Sequence, residues 1–557
     1  MMKFFKNISD HRTEKISLAA GIISAASFLS FMLGLVRDRL LSGAFGVSNS
    51  LDAYYMAFRI PDFVALVLMM GAISVAIIPI FSEKLLHDKE KAFHYLSNFI
   101  SVAIVVLLVV CGALFILAPY LISLIAPGFL PAKQETTVML TRIMFLSPLL
   151  LGLSNIISAV LMVFKRFLIT ALAPIVYNLG AIVGIIFFVP TMGISGLAVG
   201  IVLGAFLHLI IQIPSLISIG FRFKPSFNVL EKDFIQTVKL TIPRAIGLTA
   251  SQINFIIISA IGSLLLAGSV TMFNWANDLA APIVGLVAIP FATAVFPALS
   301  WAVSKNNRQE FLDHFNLALR QILFLIIPAS GLAFLLRAHL VRIVFGTMKV
   351  DWTSTRLTAA CFGIFMFALF AQGLVYLVSK AFYALKNTLI PTIVSVASIV
   401  ILPALAYYFI HQFRDSTALA DAIALALKVQ DIKHFQILGL PLAISLDAII
   451  QISVLLLLFK IKVKEVKYTP VIGFVGKVLV ATSMSVLVSY GVRQVFGGYF
   501  GSNTLLILLL QTAVVGIAGV AAYLVTAFFL RIDEVHHLKN YILAQMGFVS
   551  TKHEEHS

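Results

Sequence analysis

The run ISLAAGIISAASFLSFMLGLV, residues 16–36, carries no charged side chain and is followed at once by Arg37, Asp38 and Arg39. About 20 apolar residues in helical form cross a bilayer, so this run reads as a membrane span. It is too long for the apolar core of a signal peptide and lacks a clear small-residue cleavage site. The pattern recurs along the chain. Fourteen apolar spans are read at residues 16–36, 62–82, 96–118, 138–162, 168–189, 193–219, 238–263, 276–302, 317–336, 357–384, 389–410, 436–459, 470–492 and 504–530. The fold class that follows is an all-α polytopic membrane protein.

Composition leads the same way. Of 557 residues, 60% are hydrophobic and 11% charged, with a mean hydropathy of +1.03. A soluble domain carries about 25% charged residues, and this chain has too few polar side chains to cover a surface facing water. Disorder needs the opposite composition. The net charge of +16 would suggest nucleic acid in a soluble protein. Here the basic residues gather in short loops, among them Lys84, Lys89, Lys91, Lys165, Arg166, Arg222, Lys224, Lys305, Arg308, Lys460, Lys462, Lys464 and Lys467. Cytoplasmic loops hold such an excess. The bias places both termini inside and leaves no nucleic-acid partner. Arg337, Arg342, Lys349 and Arg356 depart from it, because they fall in the outer loop between spans 9 and 10.

A weak internal repeat divides the spans. Ala76, Pro79 and Ser82 at the end of span 2 have the spacing of Ala294, Pro297 and Ser300 at the end of span 8. Lys165 to Ile169, between spans 4 and 5, resembles Lys386 to Ile390, between spans 10 and 11. Parallel repeats recur in transporters, with the substrate site between them. The expected organisation is an N-lobe over 1–224, a C-lobe over 225–468, two added spans over 469–530 and a cytoplasmic tail over 531–557. In span 6, Gly196, Gly200 and Gly204 form a small-residue ridge suited to close helix packing.

No phosphate loop, dinucleotide fingerprint, zinc-ligand spacing or catalytic constellation is present. Cys111 and Cys361 lie in apolar runs and offer no disulfide framework. An enzyme and a cofactor are therefore not expected. A channel is not expected either, since filter repeats and charged rings are missing. A membrane scaffold without transport would need a large soluble domain, and only the loop near 411–435 and a short tail are available.

The informative residues are charges at membrane depth, which are costly and mark functional sites by default. Arg37 and Asp38 end span 1; Asp52, Arg59 and Pro61 enter span 2. Arg37 and Arg59 either line a polar cavity or snorkel to the interface. Span 7 offers Arg244, as cavity cation or interfacial anchor, and Gln252 on roughly the same face. Span 8 opens with Asn274, Asn277 and Asp278, the last either an arginine partner or a helix cap. Asp447 in span 12 and Lys380 in span 10 are candidates for ion coupling. Arg37, Arg59, Arg244, Gln252, Asn274 and Asn277 form the expected substrate site, and Asp38, Asp52 and Asp278 the expected gating pairs. Guanidinium groups suit a phosphate or diphosphate, which they bind bidentately.

These residues carry a family resemblance. Leu33, Gly34, Arg37 and Asp38, then Phe45 and Gly46, then Asp52 through Pro61 resemble the N-terminal signature of the MurJ (MviN) family. Gly71, Ala72 and Pro79 continue it, as do Ala126 to Phe129, Ser251 to Ile253, and Gly268 to Val270. The resemblance covers spans 1–12 in order. It implies a flippase of the multidrug/oligosaccharidyl-lipid/polysaccharide exporter superfamily in the bacterial cytoplasmic membrane. Its substrate would be lipid II, the undecaprenyl-diphosphate-linked peptidoglycan precursor, carried from the inner to the outer leaflet by alternating access without ATP. It further implies two six-helix lobes, spans 13 and 14 as a lipid-tail groove, membrane lipids as partners and cell-wall synthesis machinery as a candidate one. Three arginines of the family pattern are replaced here by Phe31, Ala65 and Asp278. That divergence leaves a second reading open, an exporter of another lipid-linked oligosaccharide or amphiphile.

Overall fold

The computed structural model describes residues 16–70, 77–415, 417–466, 469–500 and 504–535. Among them the regular structure is helical throughout. Eleven helices are long and apolar enough to cross a membrane, and a bent pair brings the number to 12. They account for every expected span except the second and seventh. Residues 71–76 of span 2 lie outside the described residues, as do several span-7 side chains.

Helix ends differ from the apolar runs where polar residues find partners inside the protein. The first helix, Ile16–Phe45, runs on past Val36, so Arg37, Asp38 and Arg39 sit within it. Span 10 is a pair, Trp352–Met366 and Leu369–Ala384, bent by 42°. In span 2, Pro61 lies inside helix Asn49–Val64, which passes directly into a π-helix over Ala65–Met70. Wider turns of this kind absorb an interrupted hydrogen-bond ladder.

Cα packing divides the chain into two compact units. The first runs to Thr271 and includes Val344–Asp351; the second holds Met272–Ile343 and the chain from Trp352 onward. The division does not coincide with residue 224/225, where the sequence repeat places it. The start of span 7 (Lys232–Ser263) is bound to the first unit by polar contacts. Asp233 pairs with Lys84, and Thr237 Oγ1 lies 2.7 Å from Tyr95 Oη. Asn98 donates to the Asn228 carbonyl and to Glu231, each at 2.9 Å.

The loops matched by sequence share a backbone device. Lys165 and Lys386 both adopt positive φ, 58° and 56°. Arg166 N donates to Leu161 O at 2.9 Å, and Asn387 N donates to Phe382 O at 2.9 Å. Each is the six-to-one closure of a left-handed helix cap.

Within the first unit, spans 5 and 6 pack through glycine. A methyl group added at Gly184 would overlap the Cα of Gly200, one at Gly180 the Cα of Gly204, and one at Gly196 the backbone of Phe188. The ridge in span 6 thus meets two glycines in span 5. Lipid tails are as apolar as leucine, so the close approach of backbones, rather than water exclusion, stabilises such a pair. Gly200→Leu is expected to destabilise the protein by about 1–3 kcal/mol through overpacking. Gly112→Leu, with no atom within 4 Å of the added Cβ, is the neutral control. Thermal unfolding in detergent measures both; equal midpoints would remove the packing role.

Candidate functional site

The first unit holds Arg37, Asp38, Asp52, Arg59 and Gln252. Arg37 projects from the extended first helix against its neighbour Asp38, with guanidinium contacts of 2.9 and 2.8 Å. Its Nη1 also donates to Asn178 Oδ1 at 3.3 Å. Asn178 in turn donates to Ser30 Oγ at 3.1 Å. One amide therefore ties span 5 to span 1 and orients the arginine. Sequence reading missed Asn178; the signal was an amide inside the apolar helix Phe167–Val183.

Arg59 is buried, 7% exposed, which argues against simple snorkelling. Its guanidinium lies 4.1 Å from the centre of the Phe255 ring on span 7. A desolvated cation over an aromatic face contributes about 2 kcal/mol. Gln252 lies one turn before Phe255 on the same helix and is half-buried. Span 7 thus approaches Arg59 through an aromatic residue that sequence reading passed over. The Arg244 side chain lies outside the described residues.

Asp52 has a different set of partners from the one expected. It is 1% exposed and accepts from Lys133 Nζ at 2.8 Å. It also accepts from Gly268 N at 2.7 Å, Thr271 N at 2.8 Å and Thr271 Oγ1 at 2.7 Å. Lys133 completes its own shell with Asn49 Oδ1 at 2.9 Å and the Phe129 ring at 3.8 Å. The ion pair of Asp52 is with lysine and not with Arg37 or Arg59. Its carboxylate also satisfies amides at the start of helix Ser269–Leu286, which have no partner of their own inside the helix.

That finding corrects the cap reading of Asp278. The helix begins at Ser269, so Asp278 stands more than two turns inside it, beyond the reach of the free amides. The cap is Asp52, from span 2. In the second unit Asn274 is buried, while Asn277 and Asp278 are half-buried.

Asp447 is 4% exposed. Its Oδ2 accepts from Ser398 Oγ and Gln451 Nε2, each at 2.6 Å, and its Oδ1 is buried without a hydrogen-bond partner. Lys380 does not pair with it; that ammonium lies 5.0 Å from the Phe296 ring. Spans 11 and 12 thus hold a carboxylate by two neutral donors.

The sequence model of the family described as lipid II flippase MurJ matches residues 41–511. A probable lipid II flippase MurJ of Buchnera aphidicola subsp. Acyrthosiphon pisum is 27% identical over 501 residues, covering 87% of this chain and 95% of its own. The lipid II flippase MurJ of Burkholderia cenocepacia is 27% identical over 400 residues, covering 70% and 77%. Among solved structures, a lipid II flippase MurJ in an inward closed conformation superposes with a TM-score of 0.73 at 24% identity, over 92% of this chain and 99% of that one. An inward-facing multidrug resistance MATE family transporter of the MOP superfamily gives 0.62 at 14% identity, over 79% and 96%. The fold defines the class: a multi-pass helical membrane protein. The chain belongs to the lipid II flippase MurJ family.

Asp52→Asn is expected to cost about 3–5 kcal/mol, because it leaves the Lys133 ammonium buried without its counter-ion. Adding Lys133→Gln should restore part of that loss, the remainder reflecting the amides of Gly268 and Thr271. A double-mutant cycle on unfolding midpoints reads the coupling; strictly additive effects would contradict the pairing.

Proposed function

We propose that this chain carries lipid II, the undecaprenyl-diphosphate-linked peptidoglycan precursor, from the inner to the outer leaflet of the bacterial cytoplasmic membrane by alternating access. The observation that carries the mechanism is the state of the two arginines. Arg37 is held by a neighbouring carboxylate and an amide, Arg59 by an aromatic face. Neither arrangement matches a diphosphate as an acceptor of planar guanidinium donors. A diphosphate arriving from the inner leaflet takes Arg37 from Asp38 and adds Arg59, with Arg244 as a third cation. Gln252, Asn274 and Asn277 serve the polar headgroup. As the outer side opens, Asp38 recaptures Arg37, and Asp278 supplies a second carboxylate that favours release. Asp52 serves the gate through the start of span 8 rather than through an arginine.

The polyprenyl tail stays in the bilayer against the outer faces of spans 13 and 14. Asp447 is the proposed ion-coupling carboxylate. Its free oxygen suits a proton, and Lys380 plays an independent part. Both termini face the cytoplasm, and the cell-wall synthesis machinery is the proposed partner. A second reading, export of another lipid-linked oligosaccharide or amphiphile, draws on Phe31, Ala65 and Asp278 standing where family arginines are expected.

The test is rescue of a bacterium depleted of its own lipid II flippase, with lipid II on the outer leaflet read directly. The chain should rescue. Arg37→Ala/Arg59→Ala should fail at equal membrane abundance, since losing a buried charged contact costs about 2–5 kcal/mol. Rescue by both forms would remove the diphosphate site. Rescue by neither, with outer-leaflet display of another lipid-linked glycan, would favour the second reading.

A further inference from the structure

A groove of about 500 Å³ lies within the second unit, between spans 9, 10, 12 and 13. Its walls are apolar, with Leu323, Phe367, Val475 and Leu479 typical. The bend in span 10 opens it, since Met366 and Phe367 at the break both line it.

Two wall residues are polar. Ser330 and Thr482 are 8% and 7% exposed, and neither hydroxyl has a hydrogen-bond partner. They lie at one level of the groove, because a methyl group added at Gly331 would meet the Thr482 methyl at 2.7 Å. Seven residues beyond Ser330, about two helical turns and just past the end of span 9, two guanidinium groups converge. Arg337 lies 4.5 Å from the centre of the Phe334 ring and donates to the Phe334 carbonyl at 3.0 Å. Arg493, from span 13, donates to the Leu335 carbonyl at 3.5 Å. Phe334 itself lines the groove.

Burial holds the Arg337 pKa below its ordinary value, and the positive charge of Arg493 adds to the effect. Among the described residues no carboxylate forms an ion pair with Arg337 or Arg493. The neighbouring His339 has its Nε2 3.3 Å from Gln511 Oε1, while its buried Nδ1 has no hydrogen-bond partner. Like charges without a counter-ion near a low-dielectric wall are costly, and an anion removes that cost. Buried hydroxyls without partners are costly in the same sense.

We propose that this groove binds a glycerophospholipid, with its phosphate at Arg337 and Arg493, its ester carbonyls at the hydroxyls of Ser330 and Thr482, and one acyl chain along the apolar wall. The order of the groups decides the occupant. In a glycerophospholipid, phosphate, ester and chain follow one another along the molecule, as guanidinium, hydroxyl and apolar wall do along the groove. A polyprenyl phosphate offers the hydroxyls nothing, and inorganic phosphate offers nothing to the wall. With the N-terminus inside, the lipid belongs to the outer leaflet. The site then accounts for basic residues in the loop between spans 9 and 10, where the positive-inside bias does not place them. It lies apart from Arg37 and Arg59 in sequence and in unit, and it rests on the groove facing lipid, not on transport.

The experiment is native mass spectrometry of the purified full chain, titrated with diester phosphatidylglycerol, its diether analogue, polyprenyl phosphate and inorganic phosphate. The diester should bind about tenfold more tightly than polyprenyl or inorganic phosphate and severalfold more tightly than the diether. Arg337→Gln/Arg493→Gln should weaken the diester by about tenfold. Ser330→Ala/Thr482→Val should erase the preference for ester over ether while leaving diether binding unchanged. Gly363→Ala keeps every charge but places a Cβ 3.0 Å from Arg337 Cδ; it should weaken the diester too if the double arginine variant does not fold. Equal binding of diester and diether overturns the site. So does tighter binding of polyprenyl or inorganic phosphate, or unchanged diester binding in the arginine or Gly363 variants. Lipid II flipping is read separately in the same variants, so a failure of the transport reading leaves these counts unaffected.

Discussion

A bilayer supplies no hydrogen bonds, so every charge and every free backbone amide at membrane depth must find its partner within the protein. Asp52 shows how much structure one such requirement organises. Its carboxylate neutralises Lys133 from the start of span 4 and closes the open amides at the start of span 8. Three elements distant in sequence are fixed by one buried anion. Arg37 with Asp38 and Asn178, and Arg59 with Phe255, obey the same rule with different partners. Each of these polar residues thus has a structural role, and whatever frees one of the charges must replace the partner it leaves.

Between the spans a different physics operates. Without a hydrophobic driving force between helices, close contact depends on removing side chains, and the glycines of spans 5 and 6 do so at matched positions. Where helices are not drawn together in this way, bends and wider turns leave room. The π-helix after Pro61 lies just beyond Arg59, and the break in span 10 lies beside the apolar groove. Close contact and gaps alternate along the chain.

Asp447 is held differently from Asp52. Two neutral donors hold one of its oxygens, and the other is buried without a partner. In Asp52, by contrast, both oxygens are satisfied. The contrast between these aspartates separates a helix cap from a candidate ion site more clearly than depth or neighbouring sequence.

Much was determined by the sequence alone. Runs of some 20 uncharged residues admit only a helical span, because the backbone must satisfy itself, and their order with the motifs from Leu33 to Pro61 carries the family. The glycine ridge of span 6 was legible because its spacing repeats with the helical turn. The partners were not. Asp52 reads as a neighbour of arginines, being close to them in sequence, and only the folded chain brings Lys133 and Gly268 to it. Asp278 reads as a cap because it stands near the start of an apolar run, yet the helix starts earlier, where Asp52 satisfies the exposed amides. The placement of span 7 with the first unit rests on Lys84, Tyr95 and Asn98, which no repeat encodes. Local pattern fixes which segments become helices, since backbone hydrogen bonds are local. Which charge meets which is decided by contacts across the fold, and these exist only once the helices have packed.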